Sequence, residues 1–104
     1  MSKIALIAKF AAADGKRAEL IATLEKIFPA VEQESGTEVY VLHEDAADDN
    51  TVWFYELYTD NDAFSVHGSS DAMKELIGSL GGGLVAGPPE MHMIRPVRGK
   101  GVTV

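Results

Sequence analysis

Apolar residues are set out along this chain in two different rhythms. Ile4 to Phe10 is a mostly apolar run with no turn residue and predicts a buried strand. Asp14-Gly15 ends it, and Asp14 is the expected N-cap of the next element, a helix. Leu20, Ile21, Leu24, Ile27, Phe28 and Val31 then recur at helical spacing between Lys, Arg and Glu. The spacing predicts one amphipathic helix over about 16–34, kinked at Pro29 and stopped by Gly36. Thr37 to Glu44 alternates and is rich in β-formers. Asp45 to Asn50 is a polar turn, and Val52 to Tyr58 is a second strand, so the pair predicts an antiparallel hairpin. Asp60 caps a short helix expected through Val66. Ser69 or Ser70 caps another, whose apolar positions are Met73, Leu76, Ile77 and Leu80. Gly81-Gly82-Gly83 opens a mobile loop reaching Gly87-Pro88-Pro89, a candidate lid, and Glu90 to Pro96 is a last short strand.

Counting the two short helices as one, the order is β-α-β-β-α-β. That is an α+β, ferredoxin-like plan, an antiparallel sheet with helices on one face. The expected organisation is a single domain over residues 1–104, with a core of about 3–97 and a flexible tail at 98–104. Strand alternation puts Val52, Phe54, Glu56 and Tyr58 on one face and Trp53, Tyr55 and Leu57 on the other. Both faces are apolar and aromatic, yet helices cover only one. The uncovered face predicts a homodimer packed sheet against sheet.

Composition narrows the chemistry. There are no cysteines, which excludes disulfides, thiolate metal sites and a thiol nucleophile. The net charge of −7 disfavours nucleic acid as a partner. No stretch is apolar enough to span a membrane, the N-terminus does not read as a signal peptide, and the expected location is the cytoplasm. His43 and His92 lack metal-ligand spacing, so no metal site is expected. Gly81-Gly82-Gly83 lacks the lysine and hydroxyl of a phosphate loop, and no dinucleotide glycine fingerprint occurs. Ser69, Asp71 and His67 include the residue types of a hydrolase triad, but no nucleophile elbow accompanies them.

The candidate chemistry is concentrated between Val52 and Leu80. His67 is the candidate catalytic residue, since an imidazole titrating near neutral pH can take a proton from a phenol or hydroquinone. Its plainer role is to pack a helix end. Glu56 stands mid-strand on an apolar face, where a carboxylate is costly unless hydrogen-bonded, protonated or ion-paired. It would orient His67, bind a substrate hydroxyl or serve as a structural ion pair. Phe54, Tyr58 and Phe64 are candidate aromatic walls of a binding pocket, with Met73 and Leu76 beside them.

The chain resembles the antibiotic biosynthesis monooxygenase family from Ile4 to Pro96. The resemblance is carried by Ala13-Asp14-Gly15-Lys16, Ile27-Phe28-Pro29, Glu34-Ser35-Gly36, Phe54-Tyr55-Glu56-Leu57-Tyr58, Ala63-Phe64-Ser65-Val66-His67 and Ser69-Ser70-Asp71. It implies a dimeric α/β barrel that oxygenates small aromatic, polyketide or quinol substrates with dioxygen, without flavin, haem or metal as cofactor. Family members with other roles leave two alternatives open, a non-catalytic dimeric module that binds an aromatic metabolite, and an isomerase. The Trp–Asn–His set of the haem-degrading branch is absent, because Tyr58, Ala8 and Leu76 stand near those positions. The second histidine common in the family is also missing, with Ala72 near its place.

Overall fold

The computed structural model describes residues 2–104. It holds eight elements in chain order: β1 (Ile4–Ala11), α1 (Arg17–Glu25), α2 (Phe28–Val31), β2 (Thr37–Glu44), β3 (Thr51–Tyr58), α3 (Asn61–Gly68), α4 (Asp71–Ser79) and β4 (Glu90–Ile94). The strands form one antiparallel sheet in the order β2-β3-β1-β4. This is the α+β, ferredoxin-like architecture that the alternation of periods predicts.

Register decides which side chains meet. Leu6, Ala8 and Phe10 of β1 stand opposite Glu56, Phe54 and Val52 of β3, and Tyr40 and Leu42 of β2 stand opposite Glu56 and Phe54. These residues share the face that the helices cover. Leu20 and Leu24 of α1, fully buried, pack there with Ile27 and Val31 against Val52 and Phe54. Burial of such side chains contributes roughly 1.5–3 kcal/mol each, which makes this layer the main source of stability.

The first helical region departs from the single kinked helix over 16–34. α1 stops at Glu25, Lys26 and Ile27 form a turn, and a second short helix begins at Phe28 with Pro29 in its first turn. Proline has no N–H to give, and in a first turn none is required, so the chain restarts a helix there rather than bending one. Asp14 is not the N-cap. Lys16 occupies that position without a side-chain cap, while Asp14 Oδ1 accepts a hydrogen bond from Asn50 Nδ2 at 3.2 Å. Gly15, with φ of 73°, makes the turn between them.

Elsewhere the caps lie where expected. Asp60 accepts from the Ala63 N–H at 2.8 Å and Ser70 from the Met73 N–H at 3.1 Å, opening α3 and α4. α3 continues past Val66 to Gly68, which puts His67 in its last turn. Gly36 serves a purpose beyond stopping a helix. A Cβ there would collide with the Ala63 Cβ, so glycine permits α3 to lie directly against the start of β2.

The opposite sheet face carries Ile7, Val39, Val41, Trp53, Tyr55 and Ile94, none of them fully buried in the single chain, while Ala5 and Leu57 on the same face are buried. The end of the chain folds back toward β1, where Lys3 Nζ donates to the Thr103 carbonyl at 2.6 Å. Among the described residues no helix is long and apolar enough to cross a membrane.

Candidate functional site

A cavity of about 610 Å³ opens between the helix-covered sheet face, α3, α4 and the loop before β4. Its walls include Phe54, Phe64, Met73 and Leu76, with Glu56 and His67 among the few polar residues. Six of the seven residues singled out from the sequence therefore meet around one space. The seventh, Tyr58, lies outside the lining. It is fully buried, and its hydroxyl donates to Glu56 Oε1 at 2.5 Å. The β3 alternation correctly puts Tyr58 on the same face as Glu56, but α3 packs over it through an edge-on Phe64 ring 5.3 Å away.

His67 is buried, at 2% accessibility. Its Nδ1 lies 2.9 Å from Glu34 Oε1, and the same oxygen accepts from Thr37 Oγ1 at 2.7 Å. An ionised carboxylate only accepts, so Nδ1 carries the hydrogen, and in the neutral imidazole the lone pair is on Nε2. Nε2 has no hydrogen-bond partner, is sealed from solvent and lies 3.9 Å from Glu56 Oε1. A buried polar atom left unpaired costs about 1–3 kcal/mol, so its retention calls for a reason. Tyr40 and Tyr58 flank the imidazole, with ring centres 5.2 and 5.4 Å from it.

Burial raises the Glu56 carboxyl above its ordinary range, against the opposing pull of the Tyr58 hydrogen bond and the His67 charge. Glu56 thereby holds its proton to higher pH than an exposed glutamate does. Burial, reinforced by Glu56, also pushes the Tyr40 and Tyr58 hydroxyls far up, so both remain protonated donors.

Glu34 and Tyr40 are the site residues that sequence reasoning missed. Tyr40 was accessible from strand alternation, since it pairs with Glu56 in register. Glu34 sits in an irregular turn after α2, where no period reports direction. Its signal was local, an acid three residues before a threonine.

The remaining histidines lie elsewhere. His43 is exposed with Nδ1 3.2 Å from the Trp53 carbonyl, and His92 is exposed beside Glu90. Among the described residues no group of three or more His, Asp or Glu side chains is placed to hold a metal ion. Trp53 faces away from the cavity, its indole N–H donating to Asp45 Oδ1 at 2.7 Å and its ring 5.5 Å from Lys9 Nζ. That bond, with the backbone N–H groups of Asp48 and Ala47, holds the Asp45 carboxyl down at about 2. The glycine loop is not wholly free. The Ala13 N–H donates to the Leu84 carbonyl and the Ala86 N–H to the Ala11 carbonyl, both at 2.8 Å, which ties its middle to the end of β1.

A ferredoxin-like sheet with a large apolar cavity, Glu56 and His67 at its wall and Glu34 behind the imidazole, has the features of a small-molecule-binding class of α+β domain. Within that class, the chain belongs to the antibiotic biosynthesis monooxygenase family, whose sequence profile matches residues 3–78. It is similar to a solved structure of a candidate antibiotic biosynthesis monooxygenase from Caulobacter crescentus, at 26% identity and a TM-score of 0.86, covering 93% of this chain and 92% of that one. A second candidate monooxygenase, from Chloroflexus aurantiacus, is 28% identical with a TM-score of 0.80, over 98% of this chain and 100% of that one. A protein from Shewanella oneidensis is 26% identical with a TM-score of 0.84, over 91% of each chain. No curated protein matches the chain.

Proposed function

We propose that this protein is a cofactor-independent monooxygenase of small aromatic or quinol-like substrates, working as a homodimer. The observation that carries the reading is the unpaired, buried Nε2 of His67 at the wall of an apolar cavity. A phenolic hydroxyl at that end of the cavity gives Nε2 the partner it lacks, after a small adjustment of the wall.

His67 takes the phenol proton, and Glu34 stabilises the imidazolium that forms. The phenolate gives one electron to dioxygen, and the resulting radical and superoxide combine into a carbon–oxygen bond. The peroxide takes the proton back from His67. Loss of the carbon-bound hydrogen and cleavage of the O–O bond then release water and leave a quinone. One dioxygen thus supplies one oxygen atom to product and one to water. Phe54, Phe64, Met73 and Leu76 hold the ring and exclude water, which strengthens the polar contacts at the buried end. Glu56 binds a substrate oxygen, and Tyr58 supports Glu56 from behind.

Oxygen uptake with a panel of dihydroxynaphthalenes and hydroquinones, with ¹⁸O₂ labelling of the product, tests the reading. Uptake above autoxidation with one labelled oxygen per quinone is expected. Saturable binding across the panel with no uptake would replace the enzyme with a binding module for aromatic metabolites.

A further inference from the structure

We propose that the same cavity also enolises neutral benzylic ketones, removing a proton from the carbon between ring and carbonyl without consuming oxygen. The proposal rests on the reading of His67 as a base but extends it to another substrate class and another reaction. Phenol oxidation calls on a base alone. Here a base and an acid stand together: His67 Nε2 is buried and unpaired, and a Glu56 carboxyl oxygen lies 3.9 Å from it. Keto–enol chemistry requires that pairing, one group to take the carbon-bound proton and another to neutralise the developing charge on oxygen.

The surroundings assign the two roles. Glu34 accepts from Nδ1 at 2.9 Å, which leaves the lone pair on Nε2 and supports a positive imidazolium. Glu56 is backed by the Tyr58 hydroxyl, and burial raises its carboxyl above the ordinary range, the direction a proton donor requires. Tyr40 and Tyr58 are the other titratable groups against His67, and both remain protonated. No Lys or Arg lines the cavity, so a carboxylate or phosphate substrate would find no counter-charge, whereas a neutral flat ketone fits.

The step balances within these groups. The carbon-bound proton passes to Nε2, and its electron pair becomes the enol double bond. The carbonyl π pair moves to oxygen, which takes the carboxyl proton of Glu56. The cavity then holds an imidazolium beside a carboxylate, and proton transfer between them restores the starting state. The released enol returns to ketone in solvent.

The probe is 2-tetralone in deuterated buffer under nitrogen, with deuterium entry at its benzylic CH₂ followed by NMR. The native protein should exceed matched buffer by about 10²-fold or more, the low end of positioned acid–base catalysis. His67→Gln should return to background, and Glu56→Ala should lose most of the rate. Glu56→Gln, which keeps a neutral donor, should retain more than Glu56→Ala. 2-Naphthol, filling the cavity, should suppress exchange by the native protein. Exchange no faster than buffer, or unaffected by 2-naphthol, overturns the proposal without reference to any variant. Equal rates for native protein and a folded His67→Gln overturn it as well. If quinol oxidation proceeds and depends on His67 while exchange is absent, enolisation falls and the monooxygenase reading stands. Exchange without oxidation upholds enolisation and removes the monooxygenase reading.

Discussion

Glu34 and His67 are 33 positions apart in sequence, and their side chains meet at 2.9 Å. The contact joins the turn after α2 to the last turn of α3 and fixes one imidazole nitrogen as donor. Glu34→Gln keeps an acceptor oxygen but removes the charge that supports an imidazolium. Glu34→Ala removes both. If His67 is a base, turnover should fall in the order native, Gln, Ala, toward the ~10⁴-fold loss seen when a carboxylate fixing a catalytic imidazole is neutralised. Steady-state kinetics should show the loss in kcat with KM little changed. A Glu34→Ala protein with native kcat would leave Glu34 a purely structural partner.

His67→Ala should lower turnover by about 10²–10⁴-fold, the usual worth of a general base. Because His67 is buried, the substitution also removes packing and strands Glu34, so a stability loss of about 1–3 kcal/mol is expected. Thermal unfolding measured alongside activity separates the two effects. A well-folded variant with near-native turnover would show that the cavity works by binding and desolvation alone.

The raised Glu56 carboxyl has a defined effect on stability. Its folded value lies above the ordinary 4.5, so the folded state holds the proton longer. The contribution is present in full below the unfolded value and is lost as pH rises through the folded one. Glu38, held low chiefly by its hydrogen bond to Lys3, works in the opposite sense and loses its contribution as pH falls. Urea unfolding of native and Glu56→Gln proteins over pH 4–8 isolates the Glu56 part. The variant should gain stability relative to native as pH rises from about 4.5. A difference that stays constant with pH would show that Glu56 titrates normally.

Gly36→Ala should cost about 1–3 kcal/mol, the ordinary penalty for overpacking, because its methyl group meets Ala63. The double substitution Gly36→Ala with Ala63→Gly should recover most of it. Calorimetry reads both, and an unaltered melting temperature for the single variant would show that α3 moves aside freely.

The uncovered sheet face leads to the expectation of a dimer. Light scattering at micromolar concentration should give twice the chain mass. Val41→Glu, introduced on an exposed residue of that face, should weaken association and leave the chain folded. A native protein that remains monomeric would remove the sheet-to-sheet arrangement.

Much of this was legible from the residues. Strand alternation placed Phe54 and Glu56 toward the helices and Trp53 and Tyr55 away from them, because a period of two leaves no freedom once one face is buried. Caps at Asp60 and Ser70 were readable because their hydrogen bonds span only three residues. Three things were hidden. The break at Lys26-Ile27 was masked by apolar spacing that continues across it. The withdrawal of Tyr58 from the cavity depends on how α3 packs, which strand alternation does not report. The role of Glu34 depends on a contact between distant segments, and its local signal, the threonine three residues on, says nothing of His67.

The hydrogen bonds that tie Leu84 and Ala86 to β1 also bear on traffic into the cavity. A wall anchored at its middle cannot swing as one flap. Movement is left to the stretches on either side, Gly82-Gly83 with φ of 98° and 90°, and Gly87-Pro88-Pro89 at the mouth. Ligand exchange would then depend on small shifts of these two stretches rather than on a hinged lid, and the stiff prolines would limit the second of them.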